Sequence, residues 1–120
     1  MNILLVDDDG GNLAYVKGIL EAQGHTVTAA YDGYHGLDTF QEKGVGFFDV
    51  VISDWSMPRM RGVEMAYNIR HLAPNQKIVM MSSDTEGAED DLKKKKIKDI
   101  PVFFKLALND QTLRKVIGGK

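Results

Sequence analysis

Five short apolar runs, partly β-branched, recur along the chain: Ile3–Val6, Thr26–Ala30, Val50–Ser53, Ile78–Met81 and Val102–Phe104. Each has the length of a strand. Most are apolar throughout rather than alternating, the pattern of strands covered on both faces. Between them the apolar positions change to helical spacing. Leu13, Val16, Ile19 and Leu20 mark a first helix with Gly24 as its stop signal, and Tyr34, Leu37 and Phe40 mark a second that ends near Gly44. Val63, Ala66, Ile69 and Leu72 mark a third, followed by Pro74. A fourth, about residues 86–96, is poor in apolar positions, with Ala88, Leu92 and, beyond it, Ile97. A fifth, about residues 109–117, carries Leu113, Val116 and Ile117. This β-α order, repeated five times, predicts one α/β domain over residues 1–120, a doubly wound (βα)5 unit with a parallel sheet and helices on both faces.

The 120 residues suit a single core, and hydrophobic residues at 43% against charged residues at 27% give it an ordinary globular balance. Fifteen Lys and Arg against seventeen Asp and Glu leave a formal charge of −2, which argues against direct nucleic-acid binding. The absence of cysteine excludes disulfides, thiolate catalysis and cysteine-held metals. The apolar run at the start meets three aspartates after six residues, too soon for a signal peptide or a membrane span. A cytoplasmic domain with no membrane association is the expectation.

In parallel α/β folds ligands gather beyond the C-terminal ends of the strands. There the sequence places Asp7-Asp8-Asp9 after the first strand, Asp54 after the third, Ser82-Ser83 after the fourth and Lys105 after the fifth. Carboxylates crowded at one end repel by roughly 4 kcal/mol per pair at 4 Å and an effective dielectric of 20. A hard divalent cation held by oxygens, Mg²⁺ above all, removes that repulsion. A lysine and a hydroxyl facing the same cleft suit phosphoryl oxygens. The set reads as Mg²⁺-assisted phosphoryl transfer, with an aspartate as acceptor. Asp9 is set apart as a helix cap or solvent-facing residue.

With these residues in place, the chain resembles a response-regulator receiver domain of the single-domain chemotaxis or sporulation type. The resemblance covers essentially the whole chain and is most specific in Ile3-Leu-Leu-Val-Asp-Asp-Asp9 and in Asp54-x-x-Met-Pro-x-Met-x-Gly62. It implies a flavodoxin-like sheet of order 2-1-3-4-5. It also implies that Asp54 is the phosphoacceptor. Asp8, Asp54 and the backbone carbonyl of Ser56 would ligate Mg²⁺, with Asp7 acting mainly through a water of the ion's shell. Ser82 would be the switch hydroxyl, and Lys105 would pair with a phosphoryl oxygen. The implied donor is a phosphohistidine on a sensor histidine kinase or phosphotransfer protein, and the implied output is altered binding to a downstream protein. On this reading the domain is a signalling phosphoacceptor that assists its own phosphorylation and dephosphorylation, not a dedicated enzyme.

Several positions depart from the family pattern. Leu106 follows Lys105 where proline is usual, so a trans peptide is expected there. Val102 stands at the usual aromatic switch position, Ser56 where Asn or Asp is common, Arg61 in place of a common acid, and Ile97-Lys-Asp-Ile-Pro101 where a Gly-Ala pair is usual. The expected output route therefore runs through Ser82 and the loop into the fourth helix, with Lys93–Lys96 available to an acidic partner. The same basic run permits Glu89–Lys93, Asp90–Lys94 and Asp91–Lys95 pairs at i,i+4, and Trp55 is open between packing and a kinase contact. Two further readings stand beside this one. Asp7-Asp8-Asp9-Gly10 also resembles the opening of haloacid-dehalogenase-type phosphatases, with Asp7 as nucleophile, although no acidic pair follows Lys105 and the Asp54–Gly62 segment would have no role. The chain could also be a receiver fold that binds partners without phosphorylation.

Overall fold

The computed structural model describes residues 1–118. Strands β1 (Asn2–Val6), β2 (Thr26–Ala30), β3 (Val50–Asp54), β4 (Ile78–Ser82) and β5 (Val102–Phe104) form one parallel sheet in the order β2-β1-β3-β4-β5. The helices are α1 (Gly10–Ala22), α2 (Gly33–Lys43), α3 (Gly62–Leu72), α4 (Thr85–Lys94) and α5 (Asp110–Gly118), with a 3₁₀ turn, η1, at Lys105–Ala107. The strand runs read from sequence match these within a residue at each end. The fourth helix stops earlier than its pattern suggests, because the lysine-rich segment after Lys94 carries no apolar face to bury.

Side chains alternate across the pleat, so each strand feeds two cores. Leu4 and Val6 of β1, Val51 of β3 and Met80 of β4 pack under Phe40 of α2 and Met65, Ala66 and Ile69 of α3. On the other face, Ile3, Leu5, Ile52 and Val79 meet Val16 and Leu20 of α1 and Leu113 and Val116 of α5. Each fully buried Leu, Ile or Phe contributes about 1.5–3 kcal/mol, enough to hold helices of 9 to 13 residues that would be marginal alone.

Helix starts and stops follow local chemistry. The Asp9 carboxylate accepts hydrogen bonds from the backbone N–H of Gly11 and Asn12 and so caps α1, as its position after the strand suggested. Gly24 takes φ 94° just beyond the α1 C-cap, a left-handed turn open to glycine. Asp84 caps α4 through Gly87 N–H. No described helix is long and apolar enough to cross a membrane.

Strand β5 differs from the others. It has only three residues, it lies at the sheet edge, and Phe104 stays 46% exposed. Val102 is half-buried and packs against the α2–α4 core.

Candidate functional site

The C-terminal ends of β1, β3 and β5 converge on three carboxylates and one ammonium. Asp7, which follows β1, is fully buried; Asp54, the last residue of β3, is nearly so; Asp8 is exposed at the rim. One oxygen from each of these three carboxylates lies within 4.8 Å of the other two. Lys105, the residue after β5, reaches both buried acids: its Nζ stands 3.2 Å from Asp54 Oδ2 and 3.3 Å from Asp7.

Each position is fixed by its surroundings. Asp7 accepts the backbone N–H of Asp9 at 2.9 Å and the side-chain amide of Asn12 at 2.6 Å. Asp54 is locked by its chain neighbours. Trp55 N–H continues the sheet by bonding to Met81 O, and Gly62 N–H closes the β3–α3 loop onto Trp55 O. Gly62 sits so close to the Asp54 carbonyl oxygen that a Cβ there would overlap it, and would also come within 3.0 Å of the Met80 sulfur. That contact gives a physical reason for glycine at the end of the Asp54-to-Gly62 motif. The loop is further tied to the N-cap of α2 by the Arg59–Asp32 ion pair.

The electrostatics are unbalanced. Burial pushes the Asp54 carboxyl up to about 6, helped by the neighbouring Asp7 and Asp8, while Lys105 pulls the other way. Burial also works against the Lys105 ammonium, but Asp54 and Asp7 outweigh it and hold its pKa above the usual lysine value. One ammonium faces three carboxylates. The remaining negative charge, the all-oxygen donor set and the partial exposure of Asp8 fit a hard divalent cation such as Mg²⁺.

Among the described residues, neither Ser82 nor Ser56 hydrogen-bonds to this cluster. The Ser82 hydroxyl donates to Asp84 O at 2.7 Å and accepts Asp84 N–H at 2.8 Å, so it is engaged by the β4–α4 loop. Ser56 is exposed in the β3–α3 loop. Among the described residues there is no cis peptide bond, so Lys105–Leu106 is trans as expected. Lys105 still reaches the acids from the first residue of η1.

The sequence reading missed two features. Asn12 positions Asp7; the signal was an amide in the first turn of the helix that follows the aspartates, on the side facing the strand ends. The second feature corrects an expectation. Among the described residues, Glu89–Lys93, Asp90–Lys94 and Asp91–Lys95 form no ion pairs. Asp91 turns inward instead, accepting the Trp55 indole N–H at 2.9 Å and pairing with Arg61, whose guanidinium lies 5.4 Å from the Trp55 ring centroid. A partly buried, charge-assisted contact outweighs a solvated i,i+4 pair worth only tenths of a kcal/mol. Trp55 thus joins the residue after Asp54 to α4.

A parallel five-stranded sheet with an acid cluster and a lysine at its C-terminal edge defines a class, and comparison with known proteins supplies the family. Residues 3–115 match the response regulator receiver domain, and the chain belongs to that family. It is 34% identical over 95 residues to the transcriptional regulatory protein ZraR of Salmonella typhimurium, a match covering 78% of this chain and 21% of that protein. Its fold superposes on chemotaxis protein CheY4 of Vibrio cholerae with a TM-score of 0.85 and 28% identity, covering 98% of this chain and 96% of that one. It also superposes on response regulator TrrA of Thermotoga maritima, solved with Mg²⁺ and BeF, with a TM-score of 0.81 and 26% identity over 98% and 96% of the two chains. The domain is a phosphorylation-dependent signalling receiver of two-component type.

Proposed function

We propose that Asp54 accepts the phosphoryl group. The observation that carries this reading is the single ammonium of Lys105, shared between the buried Asp7 and the Oδ2 of Asp54. Among the described residues Asp54 Oδ1 accepts no hydrogen bond, which leaves that oxygen as the nucleophile. With its pKa near 6, Asp54 is mostly ionised at neutral pH and remains a competent base and nucleophile. Its oxygen forms a bond to phosphorus as the phosphorus–nitrogen bond to a donor imidazole breaks. The products are an aspartyl phosphate and the released imidazole.

Asp7, Asp8, Asp54 and the carbonyl of Ser56 would hold Mg²⁺, which when bound supplies charge neutralisation for the incoming phosphoryl oxygens. The chain's own residues do the rest. Asn12 and the Asp9 backbone N–H orient Asp7, Gly62 holds the β3–α3 loop against Asp54, and Lys105 offers its ammonium to a phosphoryl oxygen. Ser82 would have to release the bond it donates to Asp84 O to donate to the same group, which ties phosphorylation to the start of α4. The phosphodonor would be a histidine kinase or phosphotransfer protein, the downstream target a protein, and the setting the cytoplasm.

The test is intact-mass analysis after incubation with acetyl phosphate and Mg²⁺, followed by peptide mapping. One phosphoryl group is expected on Asp54, lost in Asp54→Ala and absent when EDTA replaces Mg²⁺. Label kept in Asp54→Ala but lost in Asp7→Asn would replace this reading with the phosphatase one.

A further inference from the structure

At the opposite end of the sheet, where β3 and β4 begin, cavities of about 420, 280 and 240 Å³ adjoin the segment 74–77 and give the underside of the molecule a grooved surface. All three share Pro74, at the end of α3. One end is mainly apolar, with Val45, Phe48, Leu72 and Ala73 beside Asp49 and Lys77, and Val45 and Leu72 are exposed to solvent; Asp99 lines the middle cavity. The other end is basic, with Lys95, Lys96 and Lys98 around a floor that includes Tyr67 and Ile97.

The groove is built rather than incidental. Arg70 of α3 donates to three backbone carbonyls: Gln76 at 2.8 Å, Lys98 at 2.8 Å and Asp99 at 3.1 Å. It thereby binds the end of α3 to the loops before β4 and β5. Gln76, itself buried, donates to Phe48 O and fixes the loop before β3 as well. The loop after α4 holds two non-glycine residues at positive φ, Lys96 at 58° and Asp99 at 60°, and the Arg70 bonds clasp that shape. A preformed groove spares a ligand the entropy of ordering it.

Its charge selects the occupant. Lys93–Lys96 and Lys98 place five ammoniums within six positions, and none of them enters an ion pair among the described residues. The lysine corner is thus the densest run of basic residues in a sequence whose net charge is −2. We propose that this groove docks an extended acidic protein segment. Its carboxylates lie against Lys95, Lys96 and Lys98, and one aliphatic or aromatic side chain fills the pocket between Val45 and Leu72. A nucleic acid would use the lysines but leave the apolar half without a counterpart, and the basic patch is too short to follow a phosphate backbone. The groove lies at the far end of the strands from Asp54, so the docking does not depend on the assignment of that residue.

The test uses the full chain and fluorescence anisotropy. The probe is a fluorescein-labelled peptide with a run of glutamates, a glycine spacer and a phenylalanine. Reversing the charge of the lysines (Lys95→Glu with Lys96→Glu and Lys98→Glu) should weaken binding roughly tenfold or more. Leu72→Ser should weaken it by about threefold, the loss expected when part of an apolar contact goes. Both substitutions fall on exposed side chains, and circular dichroism confirms that the variants are folded. Asp54→Ala should bind like the parent. Three results would overturn the proposal: no binding by the parent, equal binding of a peptide without its phenylalanine, or displacement by a single-stranded oligonucleotide as effective as by unlabelled peptide. Concentration-dependent self-association that blocks the peptide would assign the groove to a second copy instead, and would overturn it too.

Discussion

The two halves of the acid cluster at the C-terminal sheet edge are built differently. On the β1–β3 side, Asp7 and Asp54 are buried, each is fixed by hydrogen bonds or backbone contact, and the β3–α3 loop has ties to Trp55, Asp32 and α4. On the β5 side, Lys105 hangs from a three-residue edge strand whose last residue, Phe104, is half-exposed, and the next turn presents Leu106 at 78% exposure. The groups meant to hold charge in place sit on a rigid frame. The ammonium that answers them stands on a light one, where movement is cheap.

Substitution at Gly62 should break this contrast most severely. Gly62→Ala forces a methyl group against the Asp54 carbonyl and should cost about 3 kcal/mol, read as a lower urea midpoint with unchanged slope. A loss under about 0.5 kcal/mol would show that the β3–α3 loop is not rigid.

Asp54 should give the next largest effect, and its sign depends on pH. The folded-state value of about 6 lies above the ordinary 3.8, so the folded protein holds this proton more tightly than the unfolded chain does. Its contribution favours folding below about pH 4 and is lost as pH climbs through about 6, a change of about 2–3 kcal/mol. Asp54→Asn should therefore be more stable than the parent near pH 7 and nearly equal to it near pH 4, in metal-free buffer. Adding Mg²⁺ should narrow the difference by stabilising only the parent. Thermal melts of both proteins across that pH range, with and without Mg²⁺, check it. A constant gap at every pH would remove burial of the charged carboxylate as the cause.

The smallest effect belongs to the β5 side. Leu106→Ser should change stability by less than about 0.5 kcal/mol, because its side chain is 78% exposed, and Phe104→Ser, which removes a half-buried ring, by about 1 kcal/mol. Denaturant unfolding of both variants sharpens the comparison. A loss above about 1 kcal/mol for Leu106→Ser, or above about 2 kcal/mol for Phe104→Ser, would mean that the edge strand is held more firmly than its exposure indicates.

Much of this was readable from the residues. The five apolar runs fixed the strands because each is local in sequence and buried on two faces. The placement of Asp7, Asp54 and Lys105 followed because strand ends in a parallel sheet must meet. Asn12 was harder, since only the entry angle of α1 decides whether an amide in its first turn reaches the acids. Asp91 was misread because helix spacing offered it Lys95, and only the approach of α4 to the β3–α3 loop reveals Arg61 and Trp55 as better partners. The groove on the underside was invisible for the same reason. Its walls come from three loops far apart in the chain, and no local pattern joins them.

The contact between Trp55 and Asp91 has an optical consequence. Trp55 is the chain's single tryptophan, so all indole emission comes from the residue beside Asp54. Its N–H meets a carboxylate, and a guanidinium lies over its ring. Indole emission shifts with the charges around the ring. A change in charge at Asp54, or a displacement of α4 that loosens Asp91, therefore alters the colour or yield of the light without any added dye. The fold has placed a built-in spectroscopic probe where the acid cluster and the fourth helix meet.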